Sequence, residues 1–158
     1  MKKIDNLNPT LEIGNIELKL DELVSAGKHI GYSYVGNTQL DGKKIKIVLD
    51  VEENIMDVIE NYKKCCMDFF NEFHKKYIQI LKTCAKDLCF DINDWNQELD
   101  HEITEQEFIE RISKSDLEIS IAYGKLNVVI LDADGLTLGE EIIYIEDLET
   151  KEVRVELG

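Results

Sequence analysis

The sequence predicts an α+β fold: an antiparallel β-sheet of N-terminal strands and a C-terminal four-strand meander, with two or three α-helices on one face. Three observations lead there. Apolar and charged residues alternate with period two near the N-terminus, as in Ile16-Glu17-Leu18-Lys19-Leu20. Apolar residues then recur at three-and-four spacing from Ile55 to Leu88. From Leu117 onward, short β-branched runs are separated by turns rich in Asp and Gly.

Taken in order, residues 1–8 read as a flexible N-terminal segment ahead of the single Pro9, and 9–158 as one α+β domain. Strands are expected over Leu11–Ile13 and Ile16–Leu20, with Gly14 breaking the phase as a bulge or turn would. A short turn or helical piece is expected over Asp21–Ala26, stopped by Gly27. His29–Val35 and Lys43–Leu49 follow as a strand pair. Asp41-Gly42 marks their hairpin, because both positions tolerate the positive φ of a type I′ turn, and Gly36-Asn37 competes with it.

The middle is helical. Asp50 is placed to cap it with Glu53 at the third position, and the apolar stripe takes in Ile55, Val58, Tyr62, Cys66, Phe69, Phe73, Tyr77, Leu81, Cys84 and Leu88. One helix over all of it would be about 60 Å long, too long for so small a domain, so a break is expected near Cys66–Asp68 with Asp68 as the second N-cap. Phe90–Glu102 reads as a loop anchored by Trp95. A third helix over 105–113 has the clearest local signature: Thr104-Glu105-Gln106-Glu107 is a capping box, with Ile103 and Phe108 as its hydrophobic staple. Meander strands are expected at Leu117–Tyr123, Leu126–Leu131, Glu141–Ile145 and Val153–Leu157, with Gly124-Lys125 as the first turn.

Charge is the most informative part of the composition. The 33 acidic and 18 basic residues give a formal −15. Residues 1–90 hold 14 acidic and 13 basic side chains, whereas 91–158 hold 19 and 5, so nearly all the excess sits in the last part of the chain. A field of that sign repels phosphate backbones and anionic membranes and draws in cationic protein surfaces. The partner it points to is a basic protein, with no nucleic acid and no membrane. The chain has no stretch of eighteen apolar residues and begins with polar residues, so a cytoplasmic location is expected. Cys65, Cys66, Cys84 and Cys89 lack the spacing of a disulfide framework and read as reduced core residues. A metal site from Cys84, Cys89 and His74 is disfavoured, because five residues on a helix turn the two thiols about 140° apart.

No phosphate loop, dinucleotide fingerprint, zinc-protease motif or nucleophile elbow occurs, and no catalytic residue and no cofactor is expected. Asp132-Ala133-Asp134-Gly135 carries the first part of a calcium loop without the rest of its ligands. His101 lies between Asp100 and Glu102, where a raised pKa and a pH-sensitive contact are expected. The carboxylates expected to meet a basic partner are Glu98, Asp100, Glu102, Asp132, Asp134, Glu140 and Glu141.

The stretch from Trp95 through Ile103–Ile112, then Leu117–Ile121 and the hairpin with Asp134-Gly135 and Gly139–Ile142, resembles a bacterial domain-of-unknown-function family. Gly42–Ile47 and Asp50–Glu52 are similar too, so the likeness spans about residues 30–158. It implies a bacterial cytosolic α+β protein with relatives among immunity proteins that neutralise toxins. The acidic excess of residues 91–158, together with the missing catalytic motifs, makes the leading expectation a non-catalytic acidic binding module, an immunity protein masking a basic toxin. The alternatives are a divalent-metal enzyme using Asp132, Asp134, Glu140 and Glu141, and a structural or oligomeric scaffold.

Overall fold

The computed structural model describes residues 7–52, 55–131 and 135–158. Four strands come first: β1 (Thr10–Ile13), β2 (Ile16–Ser25), β3 (Lys28–Leu40) and β4 (Lys43–Asp50). Helices α1 (Ile55–Asn71), α2 (Phe73–Trp95) and α3 (Glu105–Ile112) follow, and then β5 (Leu117–Ala122), β6 (Lys125–Ile130), β7 (Ile142–Asp147) and β8 (Val153–Leu157). All the strands form one sheet in the order β1 to β8.

The α+β class and the C-terminal meander are as the sequence predicts. The antiparallel description needs one correction, because β4 and β5 pair in parallel, Ile47 opposite Ile119. The cause is topological: a parallel neighbour needs a long crossover, and α1–α3 supply it.

Registers fix which side chains share a face. One row crosses the sheet through Gly36, Ile47, Ile119, Val128, Tyr144 and Val155, with Leu18 lying against Gly36, and a parallel row runs through Thr38, Ile45, Leu117, Ile130 and Ile142. The apolar members of these rows, with those of a third row through Tyr34, Leu49, Ile121 and Leu126, form the core with the helices, Ile45, Ile47, Leu49, Ile119, Ile121 and Ile130 being fully buried. The opposite face carries Lys46, Glu118, Ser120, Asn127 and Arg154, the outward half of each strand's alternation.

Hairpin chemistry sets the edges of these strands. Ala26-Gly27, Asp41-Gly42 and Tyr123-Gly124 each have positive φ at both positions, 52° and 75°, 52° and 76°, 49° and 73°, as two-residue type I′ turns demand. The first of these corrects the helical piece expected at Asp21–Ala26: β2 runs on to Ser25 and turns on Ala26-Gly27. The third moves the expected Gly124-Lys125 turn back by one residue. Gly36-Asn37 is no turn but lies inside β3. A Cβ on Gly36 would come within 2.3 Å of Leu18 Cδ2 and 2.7 Å of the Glu17 carbonyl oxygen, so the glycine is there for close packing.

The break in the long helix falls at Glu72, between α1 and α2, rather than near Cys66–Asp68. Its φ of −112° and ψ of 26° leave the helical region, yet Glu72 N still donates to Asp68 O and Lys76 N to Glu72 O. The joint is thus a bend that keeps the apolar stripe in phase, with Phe69, Phe73 and Tyr77 in edge and stacked contact across it. Helix α2 also runs past Phe90 to Trp95, which the polar residues there obscured. Asp50, expected to be a helix cap, ends β4 instead and accepts from Ser33 Oγ at 3.0 Å, and its partner Glu53 lies outside the described residues. Thr104 caps α3 as expected, accepting from Glu107 N at 3.1 Å, with Ile103 and Phe108 both buried. Of the N-terminal segment, Leu7 packs on the core and Asn8 O accepts from Tyr34 Oη at 2.7 Å, while 1–6 lie outside the described residues.

All four cysteines are free, and Cys66, Cys84 and Cys89 are buried. His74 is exposed while Cys84 and Cys89 face the core, so these three do not converge.

Two predictions follow from the packing. Gly36→Ala should lower stability by about 1–3 kcal/mol or more through overpacking, read as a lower urea midpoint. Gly31→Ala, whose Cβ would meet nothing closer than Leu23 Cδ1 at 3.9 Å, should move it little. An equal effect of the two would refute the close-packing argument. The second concerns alkaline pH. Burial pushes the Cys66 and Cys84 thiols up from 9.0 to about 12. Because the fold favours their protonated forms, this contribution to stability is complete below pH 9 and is lost as pH climbs toward 12. The urea midpoint should fall over that window, and a level profile across it would count against the buried thiols.

Candidate functional site

Two regions gather polar side chains in ways the core does not need. The first lies at the end of α2, in the connector to α3 and in the loop between β6 and β7. The helix ends because Asn96 leaves helical geometry while its backbone N–H still donates to Ile92 O. Its buried side chain does two further jobs. Nδ2 donates to Leu136 O at 2.7 Å and Oδ1 accepts from Glu98 N at 3.1 Å, tying α2 to the β6–β7 loop and to the connector. One turn earlier, Asn93 takes both backbone groups of Ile103: Nδ2 donates to its carbonyl and Oδ1 accepts from its N–H, each at 2.8 Å. The connector is thereby pinned where a loop would otherwise be loose.

Around these pins the surface is acidic. Asp87, Asp91, Asp94, Glu98, Asp100, Glu102, Glu105, Glu107 and Glu110 are the charged residues between 87 and 110, with neither Lys nor Arg among them. All are exposed except the half-buried Glu107, whose Oε2 meets His101 Nε2 at 2.9 Å. His101 makes that contact with Glu107 rather than with its sequence neighbours Asp100 and Glu102.

The carboxylates expected to meet a partner are placed as follows. Glu98, Asp100 and Glu102 are exposed on the connector, and Glu140 and Glu141 are exposed on the β6–β7 loop that Asn96 ties to α2. Asp132 and Asp134, and with them the calcium-like turn, lie outside the described residues. The ion pairs Lys46–Glu118, Lys63–Glu60 and Arg154–Glu156 do not involve Glu98, Asp100, Glu102, Glu140 or Glu141. No group of three His, Cys, Asp or Glu able to hold a metal ion occurs among the described residues either.

Sequence reasoning missed Phe90. It is 79% exposed, and it borders a groove of about 460 Å³ with Asp94, Gln97, Leu99, His101 and Glu102. The signal was present: Phe90 falls off the stripe of Leu88, Cys89 and Ile92 and is flanked by Asp87, Asp91 and Asp94.

The second region is a cleft of about 840 Å³ between α1 and the β5–β6 and β7–β8 turns. At its base Glu52, only 6% exposed, accepts from Tyr62 Oη at 2.8 Å and from the backbone N–H of Tyr123, and Tyr62 Oη accepts from Gly124 N at 3.1 Å. The exit of β4, the first helix and the β5–β6 turn are thus held by one carboxylate and one phenol. No local pattern could have revealed this, since Glu52 and Tyr123 are 71 residues apart. Burial pushes the Tyr62 phenol above its ordinary value, with the adjacent Glu52 adding to the rise and the Gly124 amide opposing it. Burial, reinforced by Glu146, likewise raises the Cys65 thiol on the cleft wall, which disfavours the thiolate a nucleophile needs.

The profile of a family described as uncharacterised proteins conserved in bacteria (DUF2262) matches residues 18–154. The chain belongs to that family. The match agrees with the bacterial domain-of-unknown-function likeness seen over about 30–158, reaching back to Leu18 to take in most of β2 and ending at Arg154. No curated protein and no solved structure matches the chain. No helix among the described residues is long and apolar enough to cross a membrane.

The cleft network yields a prediction. Tyr62→Phe deprives Glu52 of its hydroxyl donor and Gly124 N–H of its acceptor, which should cost about 1–3 kcal/mol. Urea denaturation would show this as a lower midpoint with an unchanged slope, and an unaltered midpoint would mean that the network adds nothing to stability.

Proposed function

We propose that this DUF2262 protein is a non-catalytic binding module of the immunity type, which masks the basic surface of another protein. The observation that carries this reading is the run from 87 to 110, where nine exposed or half-exposed carboxylates occur with no Lys or Arg among them. Solubility alone would be served by acids mixed with lysines, as they are over 1–90. A one-signed patch costs stability through self-repulsion and gives in return fast, selective encounter with the opposite sign.

Two further features support the reading. The patch rests on pinned backbone, held by Asn93 and Asn96, so that little order has to be created on binding. The thiols and phenols near the cleft are held toward their neutral forms, so they lend no support to a nucleophilic mechanism.

The test is affinity capture from a bacterial lysate at low and at high salt, with the captured proteins identified by mass spectrometry. The tagged chain should retain a basic protein at low salt and release it at high salt. The variant Asp94→Lys/Glu98→Lys/Glu102→Lys should fail to retain it while unfolding at the same urea midpoint. Recovery of acidic proteins only, or an identical set with the charge-reversed variant, would refute the proposal.

A further inference from the structure

Resting on that reading, we infer that the groove beside Phe90 is the docking point and that its occupant is an arginine-bearing segment of a basic protein. Phe90 is the starting point. The other aromatic residues of α2 are turned inward, with Phe73 and Tyr77 buried and Trp95 half-buried against the core, whereas Phe90 stands 79% exposed. Its neighbours on the helix surface, at −4, −3, +3 and +4, are Lys86, Asp87, Asn93 and Asp94, so the ring lies between Asp87 and Asp94 along the helix, with Lys86 beside Asp87 and Glu102 across the groove.

An aromatic face that shares a groove with the carboxylates of Asp94 and Glu102 favours one kind of side chain. A guanidinium is planar, stacks on an aromatic ring and offers forked donors that two carboxylate oxygens accept together, which an ammonium cannot do. The groove gives it somewhere to go: about 460 Å³, with Phe90 and Asp94 on the helix side and Gln97, Leu99 and Glu102 on the connector side. Its walls are preformed, because Asn93 holds Ile103 by two hydrogen bonds and Asn96 holds Leu136 and Glu98.

Charge complementarity selects among occupants. Nucleic acid and anionic lipid would bring phosphates to a surface that repels them. A second copy would set its own acids against these. A basic protein segment meets neither obstacle.

The test uses the full ¹⁵N-labelled chain, titrated with an amidated peptide of alternating Arg and Gly and with the same peptide carrying neutral citrulline in place of Arg. The Arg peptide should give saturable amide shifts confined to Phe90, Asn93, Gln97, Leu99 and Glu102, and the citrulline peptide none. Phe90→Ala should weaken binding about tenfold, and Phe90→Tyr, which keeps a ring, should restore it. Saturable shifts elsewhere on the acidic surface with the groove silent would overturn the docking point and leave the acidic-binder reading standing. No saturable shift anywhere with the Arg peptide would overturn both.

Discussion

Because β4 and β5 lie side by side and point the same way, the chain between them has to leave one end of the sheet and re-enter at the other. Everything distinctive about the molecule hangs on that constraint. It places α1, α2 and α3 on a single face, where their apolar stripe closes over the row through Ile47, Ile119 and Val128 and its neighbours. It also brings the exit of β4 beside the exit of β5, which is why Glu52 can reach the Tyr123 amide. The same crossover carries the acidic connector, so fold and surface charge share one origin.

The two ends of the crossover are finished differently. At the start, Glu52 and Tyr62 form a buried polar knot whose donors and acceptors satisfy one another. At the finish, Lys43 donates to Ser113 O at the end of α3 and lies over the Tyr77 ring at 5.1 Å, placing a cation at the negative end of the helix. Burial draws the Lys43 ammonium below its ordinary value, against the pull of Asp116 and Asp41. Each anchor joins the helical layer to a strand terminus, so the helices are registered on the sheet at both extremities.

Much of this was legible in the residues, and the exceptions share a cause. The meander strands, the Asp41-Gly42 hairpin and the Thr104 cap depend on neighbours a few positions away, and local reading recovers them. Failures came where a residue serves a distant partner. Gly36 looks like a turn former until Leu18 is laid across it from the next strand. Asp21–Ala26 looked helical because its pattern is weak, and the extended pairing with Gly31–Ser33 that decides it is supplied by β3. The bend at Glu72 carries no sequence mark, since its hydrogen bonds run on through it. For the acidic surface, the charge run was visible, but Asn93, Asn96 and the outward Phe90 were not, because their roles depend on where Ile103 and Leu136 arrive in space.

The paired hydrogen bonds between Asn93 and Ile103 have one more consequence. They close the connector at its neck, so the nine residues between behave as a ring fastened to the body by a side chain rather than by backbone alone. A protease that cut within that ring would leave both new ends held, the upstream one by α2 and the downstream one by the buried Ile103 and Phe108. Cleavage there would nick the molecule without releasing either fragment.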